Sequence, residues 1–206
     1  VPWNVPLMIA MWKIAPALAT GCTIVIKPSE VTPLATLRLA ELALDAGIPP
    51  GVINVVNGFG AEAGQALVEH PLVAKISFTG SAETGKAINR TATDTLKNVT
   101  LELGGKSPVI LLDDANMDKA VQGIAMGIFG NTGQVCVAGS RLYIQRGIFD
   151  KAVERISKEA RSLKVGPGLH PETNIGPLVS EAHRDKVMGC IEAGMKAGGE
   201  AVTGGS

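Results

Sequence analysis

Short β-branched runs alternate with longer amphipathic stretches along the first hundred residues. Apolar runs typical of buried strands occur at Thr23–Ile26, Val52–Val56, Lys75–Phe78 and Val99–Leu103. Helical spacing of the apolar residues between them predicts helices at about Pro33–Ala46, Ala61–Glu69 and Ala82–Thr93. Strands joined by helices in this way pair in parallel through right-handed crossovers. The pattern therefore predicts a parallel sheet, whose ligands would bind where strands end and helices begin.

The first of these helices carries clear terminal signals. Thr32 is suited to cap it, Pro33 to occupy its first helical position, and Gly47 to end it.

A second set of elements follows Gly104 and Gly105. It comprises strands at Val109–Leu112 and Arg141–Gln145 and helices at about Met117–Phe129, Ile148–Ser162 and Ser180–Ala197. We therefore predict an α/β protein in which a Rossmann-like parallel-sheet domain, residues 1–104, precedes a second α/β domain, residues 105–206. The same alternation is also compatible with one larger sheet.

The composition narrows the function classes. Hydrophobic residues make up 46% and aromatic residues only 3%, which is typical of aliphatic cores built on parallel strands. Basic and acidic residues balance at 19 each without a basic run, which argues against nucleic-acid binding. Asn4, Lys13 and Pro16 interrupt the apolar stretch at the start of the chain, so it cannot span a bilayer. We expect a soluble protein with a small-molecule partner.

The three cysteines differ in their surroundings. An odd number without C-x-x-C spacing, beside only three histidines, argues against disulfides and metal sites and favours reduced thiols in the cytoplasm. Cys22 lies in the apolar segment Gly21–Ile26 and is expected to pack there. Cys136 instead lies among small residues in the loop GNTGQVCVAGS, as an accessible nucleophile would. A cysteine hydrolase would need a histidine base, and no histidine here has a motif around it.

In addition to this cysteine, two polar residues are candidates for a catalytic role. Glu102 lies in an apolar strand directly before Gly104, either for a functional reason or because it faces solvent. The amide of Asn4 could donate to an oxyanion or cap the helix that starts near Pro6.

Three strand-to-helix turns have features of nucleotide-binding sites. NGFGAEAG, residues Asn57–Gly64, has a G-x-G-x-x-x-G spacing, one residue longer than the dinucleotide fingerprint. In FTGSAETG, Gly80 permits close backbone approach and Ser81 could cap the helix or bind a phosphate. IKPSE, residues Ile26–Glu30, offers a cation and a carboxylate to a ribose. Ordinary turns explain the first two motifs equally well when each is taken singly, and for IKPSE alone an ordinary solvated turn is the better explanation.

Taken together, these segments resemble the NAD(P)-dependent aldehyde dehydrogenases. The motifs PWNVP, WKIAPALATG, IKPSEVTP, PPGVINVV, GFGAEAG, FTGS, LELGGKSP, GQVCVAGSR and IGPLVS follow the family's order through essentially the whole chain. Bacterial phenylacetaldehyde and betaine-aldehyde dehydrogenases look most similar.

The resemblance implies a role for each candidate residue. Cys136 would be the nucleophile, Glu102 the general base and Asn4 an oxyanion donor. Cofactor contacts would come from Trp3, Lys27, Ser29, Glu30, Gly60, Gly80, Ser81 and Leu103. An aliphatic residue is common in the family where Thr84 stands here.

The same resemblance sets expectations for cofactor and partners. Glu30 would repel a 2′-phosphate, so NAD is expected over NADP, although Lys27 and Ser29 could accommodate the phosphate. The expected substrate is a small aldehyde such as phenylacetaldehyde, and the expected assembly is a homodimer or homotetramer. Parts of the family have no counterpart here, so the chain is interpreted as a piece of a longer enzyme. A non-catalytic nucleotide-binding or scaffold protein is the alternative.

Overall fold

The computed structural model describes residues 1–205, and the chain divides into two units at the step from Gly104 to Gly105. The functions expected of these two units stay predictions.

The first unit alternates helices and strands. In chain order these are α1 (Pro6–Ala19), β1 (Ile24–Ile26), α2 (Leu34–Asp45), β2 (Ile53–Val55), a π-helical turn (Gly60–Gly64), α3 (Gln65–Glu69), β3 (Lys75–Gly80), α4 (Ala82–Thr93) and β4 (Asn98–Leu103). β1 pairs in parallel with β2, and β3 with β4. The predicted parallel pairing is confirmed, but among the described residues it forms two separate two-stranded ladders, because no ladder hydrogen bonds join the two pairs.

The second unit repeats the alternation. It contains β5 (Pro108–Leu111), α5 (Met117–Phe129), β6 (Arg141–Ile144), a 3₁₀ turn (Arg146–Ile148), α6 (Phe149–Ser162) and α7 (Glu181–Lys196). β5 and β6 are parallel. All strands and helices predicted from the sequence are present within two residues of their expected ends, except that the stretch predicted as a helix at 61–69 begins as the π-helical turn.

The two ends of α2 turn out differently. Its carboxyl end is as predicted: Gly47 has φ +88°, and the N–H groups of Gly47 and Ile48 donate to the carbonyls of Leu44 and Ala43. The capping role predicted for Thr32 is wrong. The helix begins one residue later than expected, so Pro33 occupies the capping position and not the first helical position that was predicted for it. The buried Thr32 hydroxyl finds no hydrogen-bond partner.

Each unit has a small aliphatic core. In the first unit Ala10 and Ile14 of α1 pack with Ile26 of β1. In the second, Leu111 of β5 packs with Ile124 of α5 and Ala152 of α6. Both cores join one face of a strand to covering helices, which is the layer arrangement of an α/β fold.

Cys22 does not belong to the first core. It was expected to pack there, but it is exposed. β1 begins only at Ile24, so Cys22 lies in the preceding coil, where the Thr20 hydroxyl lies 3.5 Å from its sulfur.

Candidate active site

Cys136 lies in an exposed turn between α5 and β6. The chain is anchored directly after it, because Ala138 is buried and the Gly139 N–H donates to Gly127 O at 3.0 Å. A Cβ added at Gly139 would lie 2.6 Å from Cγ2 of Val109, so glycine is needed for this close approach. The thiol is therefore accessible on a backbone that is held in place.

The residues before the cysteine form a left-handed turn. Asn131 has φ 51° and ψ 35°, Thr132 has φ 58° and ψ 33°, and Gly133 has φ +74°. This conformation costs a non-glycine residue roughly 1–2 kcal/mol, and it is a genuine outlier for a β-branched residue such as Thr132. This turn was not predicted from the sequence, although Asn131 and Gly133 are both residue types that favour the left-handed region.

Glu102 lies on the exposed face of β4, opposite Thr79 of β3. Strand alternation places it there, as the solvent-facing interpretation allowed. A cation lies on the same side of the unit: Lys13 of α1 donates to Ser77 Oγ at 2.9 Å. Burial lowers the pKa of Lys13 below its usual value, and the charge of Glu102 acts in the opposite direction.

Lys13 was missed as a candidate residue. The signal was present, because Lys13 is the only charged residue in the otherwise apolar helix α1. Its contact partners, however, lie more than 60 residues away along the chain.

The predicted ribose-binding residues lie together where β1 ends. Lys27 Nζ donates to the carbonyls of Pro28 at 2.7 Å and Gly58 at 2.9 Å, and lies 3.5 Å from Glu30 Oε2. Glu30 is half-exposed, whereas Ser29 is only 9% exposed. A half-exposed carboxylate beside a fixed ammonium suits a pair of ribose hydroxyls, because one group accepts and the other donates.

The glycine-rich turn after β2 contains the extra residue of its motif as a π-helical turn. Gly60 to Gly64 make this turn, and the Gly64 N–H donates to Phe59 O, five residues earlier. Open space surrounds Gly60, while a Cβ at Gly64 would lie 3.6 Å from Cδ of Lys27. The lysine stem therefore packs over this turn. π-Helical turns occur often at functional sites.

The end of the β3–β4 ladder carries the remaining cofactor candidates. Gly80 pairs with Leu103 in register. Ser81 caps α4: its hydroxyl accepts from the Thr84 N–H at 3.1 Å and donates to Thr84 Oγ1. Leu103 packs so closely on α4 that a Cβ at Gly85 would lie 2.7 Å from its Cδ2. Capping and packing roles are therefore established for Ser81 and Leu103, and cofactor roles stay predictions.

Trp3 and Asn4 lie just before α1 and are both partly buried. The capping position of α1 is Val5, and Asn4 precedes it by one residue.

The structure thus gathers the candidates into groups. Lys27, Ser29, Glu30 and Gly60 lie where β1 and β2 end, and Gly80, Ser81, Glu102 and Leu103 lie where β3 and β4 end. Cys136 belongs to the second unit. Within residues 1–205, no group of three potential metal ligands occurs, and no helix is long and apolar enough to cross a membrane.

Two curated proteins are similar to this chain over nearly its whole length. The chain is 51% identical over 206 residues to a phenylacetaldehyde dehydrogenase of Pseudomonas fluorescens, covering 100% of this chain and 41% of the relative. It is 48% identical over 203 residues to a betaine aldehyde dehydrogenase of Vibrio vulnificus, covering 98% of this chain and 42% of the relative. The chain therefore spans well under half the length of these curated relatives.

Solved structures agree with this similarity. An NAD⁺ complex of an aldehyde dehydrogenase from Bacillus cereus superposes with a TM-score of 0.98 at 49% identity, covering 100% of this chain and 42% of that one. An NADP-dependent enzyme of E. coli gives 0.97 at 44% identity, covering 100% and 43%. The model of the aldehyde dehydrogenase family matches residues 1–206. The chain belongs to the aldehyde dehydrogenase family.

Proposed function

We propose that the enzyme containing this chain oxidises an aldehyde to a carboxylic acid with NAD, using Cys136 as nucleophile. The observation that carries this proposal is the accessible cysteine on an anchored loop, in a chain that belongs to the aldehyde dehydrogenase family. Small neighbours leave room beside the sulfur for a substrate carbonyl.

The proposed chemistry divides between the chain's own residues. The Cys136 thiolate attacks the aldehyde carbon, and the Asn4 amide and the Cys136 N–H stabilise the resulting oxyanion. NAD, when bound, supplies the hydride acceptor that converts the thiohemiacetal to a thioester. Glu102 takes a proton from water, which hydrolyses the thioester and releases the acid.

The cofactor would be held in the first unit. Lys27 and Glu30 fit the adenosine ribose, since a half-exposed carboxylate can accept from its hydroxyls. Open space at Gly60 leaves the π-helical turn free for backbone approach. Thr79 adds a buried hydroxyl without a protein partner beside Gly80. We propose further contacts from Trp3, Ser29, Gly80, Ser81 and Leu103.

The substrate, location and assembly are proposed at a coarser level. The similarity to a phenylacetaldehyde dehydrogenase favours a small apolar or aromatic aldehyde, with betaine aldehyde as the competitor. The kcat/KM values for an aldehyde panel distinguish them. Free cysteines suit a cytoplasmic location, and we propose a homodimer or homotetramer.

Two substitutions in the full-length enzyme test the mechanism, because the two residues act at different steps. Cys136→Ala should abolish NADH formation. Glu102→Gln should give a burst of about one NADH per active site, then stall with an acyl adduct on Cys136 detectable by mass spectrometry.

Other outcomes would contradict specific parts of the proposal. Normal turnover by Glu102→Gln would assign the general base to another residue, and absence of both burst and adduct would mean that Glu102 first activates the thiol. Normal turnover by Cys136→Ala would show that Cys136 is not the nucleophile. A wild-type enzyme that binds NAD without oxidising any aldehyde would support the non-catalytic alternative.

A further inference from the structure

The left-handed turn before Cys136 is tied to a segment 44 to 45 residues farther along the chain. The Thr132 hydroxyl donates to Gly176 O at 3.2 Å. The Val179 N–H donates to Gln134 Oε1 at 2.9 Å. Residues 176–179 are here named the strap. Both hydrogen bonds are partly buried, and both belong to the second unit.

The Gln134 side chain joins the strap to the turn. Its Nε2 donates to Asn131 O at 3.1 Å, while its Oε1 accepts from the strap. The Gln134 backbone N–H donates to the same Asn131 O at 3.1 Å, and in the other direction the Asn131 amide donates to Gln134 O at 3.3 Å. One glutamine therefore fixes both the closing of the turn and its distance from the strap.

Cys136 lies midway between this attachment and the anchor described above. Gln134 precedes it by two residues, and Ala138, which is buried, follows it by two residues. A Cβ added at Gly105 would lie 3.6 Å from Cys136 O, so a further chain segment borders the cysteine backbone. The peptide groups on both sides of the sulfur are thus held, while the sulfur is exposed.

The hydrogen bonds to the strap stabilise a backbone conformation of the turn that is otherwise disfavoured. Positive φ is disfavoured at Asn131 and above all at Thr132, and such conformations persist only where the surroundings over-determine them. The tethers at Thr132 and Gln134 supply that constraint. Once they are removed, Asn131 and Thr132 can return to the right-handed region, and the N–H of Cys136 then points elsewhere.

We propose that Thr132 and Gln134 are positioning residues that act through the strap to orient the backbone of Cys136. The inference rests on the proposed function, because it assumes that this backbone N–H receives the oxyanion. An orientation error there weakens an interaction made in the transition state and leaves substrate binding nearly unchanged.

The main test replaces Gln134 in the full-length enzyme. Gln134→Met keeps the length of the side chain and removes its hydrogen bonds, so kcat should fall about tenfold while KM stays within about twofold. Gln134→Glu keeps an acceptor for the Val179 N–H and should recover part of kcat. Gln122→Met, at an exposed position of α5, is the matched control and should behave as wild type.

A readout independent of aldehyde chemistry accompanies these rates. Hydrogen–deuterium exchange in a peptide covering residues 131–140 should become faster in Gln134→Met and unchanged in Gln122→Met. Thr132→Val, which keeps the side-chain shape, and Thr132→Ser, which keeps the hydroxyl, provide a milder pair if Gln134→Met does not fold. Thr132→Val should raise exchange and lower kcat, and Thr132→Ser should restore both.

Each outcome bears on the proposal. Unchanged hydrogen exchange in the folded variants would show that the strap does not hold the turn, which would overturn the proposal. Faster exchange with wild-type kcat would show that the hydrogen bonds to the strap have only a structural role, which would also overturn it. An equal fall in kcat/KM in Gln134→Met and in the Gln122→Met control would also overturn the proposal. Failure of the proposed function would appear elsewhere, as turnover by Cys136→Ala, with the exchange results unaffected.

Discussion

At the scale of single residues, the clearest electrostatic feature is the position of Lys13 near Glu102. The pKa of Lys13 is lowered by burial and partly restored by the carboxylate charge. Because the folded pKa lies below the ordinary value, the folded state binds fewer protons than the unfolded state between the two values. The stability contribution of Lys13 therefore increases as pH rises through that interval.

The charge of Glu102 gives a direct prediction for Lys13. Glu102→Gln removes the attraction that favours the ammonium, so the pKa of Lys13 should fall further. Lysine side-chain NMR titration of the full-length protein measures it. Glu83→Gln, an exposed substitution on α4, should leave it unchanged. If the pKa of Lys13 were the same in Glu102→Gln as in the wild type, the two groups would not interact.

The carboxylate of Glu30 gives a second prediction at this scale. A 2′-phosphate near Glu30 would meet a like charge, so the full-length enzyme should have a higher kcat/KM with NAD⁺ than with NADP⁺. Glu30→Gln should narrow that ratio, roughly fivefold to tenfold, by removing the repulsion. Asp45→Asn, at the far end of α2, is the control. A wild-type preference for NADP⁺ would contradict this interpretation of Glu30.

The sequence predicts single residues well where their own neighbours determine them. The exposure of Cys136 follows from the small residues around it, and the end of α2 follows from Gly47. The proximity of Lys13 to Ser77 and the tethering of Thr132 to Gly176 depend on partners 64 and 44 residues away. No local sequence pattern identifies such a distant partner, so these contacts could be found only from the folded structure.

At the scale of elements, α7 offers a matched pair of glycines. Gly189 lies inside the helix, and Gly198 follows its end with φ +95°; an added Cβ meets nothing within 4 Å at either position. The N–H groups of Gly198 and Gly199 donate to the carbonyls of Met195 and Gly194, which is the Schellman ending of a helix.

Alanine should have opposite effects at these two positions. Gly189→Ala should stabilise the protein by about 0.5–1 kcal/mol, because alanine loses less backbone entropy in a helix. Gly198→Ala should destabilise it by about 1 kcal/mol, because alanine disfavours positive φ. Denaturant unfolding of the two variants measures both effects. Equal effects of the same sign would contradict the backbone conformation at Gly198.

The elements themselves were largely predictable, and their irregular turns were not. α5 has its predicted bounds because Asn116 caps it, accepting from the Lys119 N–H. Neither the π-helical turn nor the left-handed turn follows from composition. Glycines mark both as turns, but the contacts that each turn makes outside itself come from residues elsewhere in the chain: Lys27 packs over Gly64, and Gly176 accepts from Thr132.

At the scale of the whole molecule, the two units expose an unusual amount of surface. The chain exposes 13536 Å². Two separate compact units of half its mass would together expose about 11,000 Å². Large apolar side chains contribute in both units, among them Trp12 at 64%, Ile110 at 69% and Met126 at 79% exposure. Such surface is typical of chains that are covered by further polypeptide.

An isolated polypeptide of these 206 residues should therefore associate in solution and should not turn over aldehyde. Size-exclusion chromatography with light scattering would show oligomers or aggregates. Trp12→Lys, which places a charge on the exposed face of α1, should reduce that association. A monodisperse monomer at high concentration, or turnover by the purified polypeptide without any complementing chain, would contradict the prediction.

The parallel pairing of the strands also determines the order in which the chain can fold. Ile24 pairs with Ile53, Lys75 with Asn98, and Pro108 with Arg141, so each ladder waits for a segment roughly 23 to 33 residues farther along. At ribosomal speeds of about 5–20 residues per second, that wait is on the order of 1 to 7 seconds. Helices form locally within microseconds, whereas each earlier strand emerges with an unpaired edge. Slower translation lengthens the time for which a nascent chain can pair with the wrong partner or bind a chaperone.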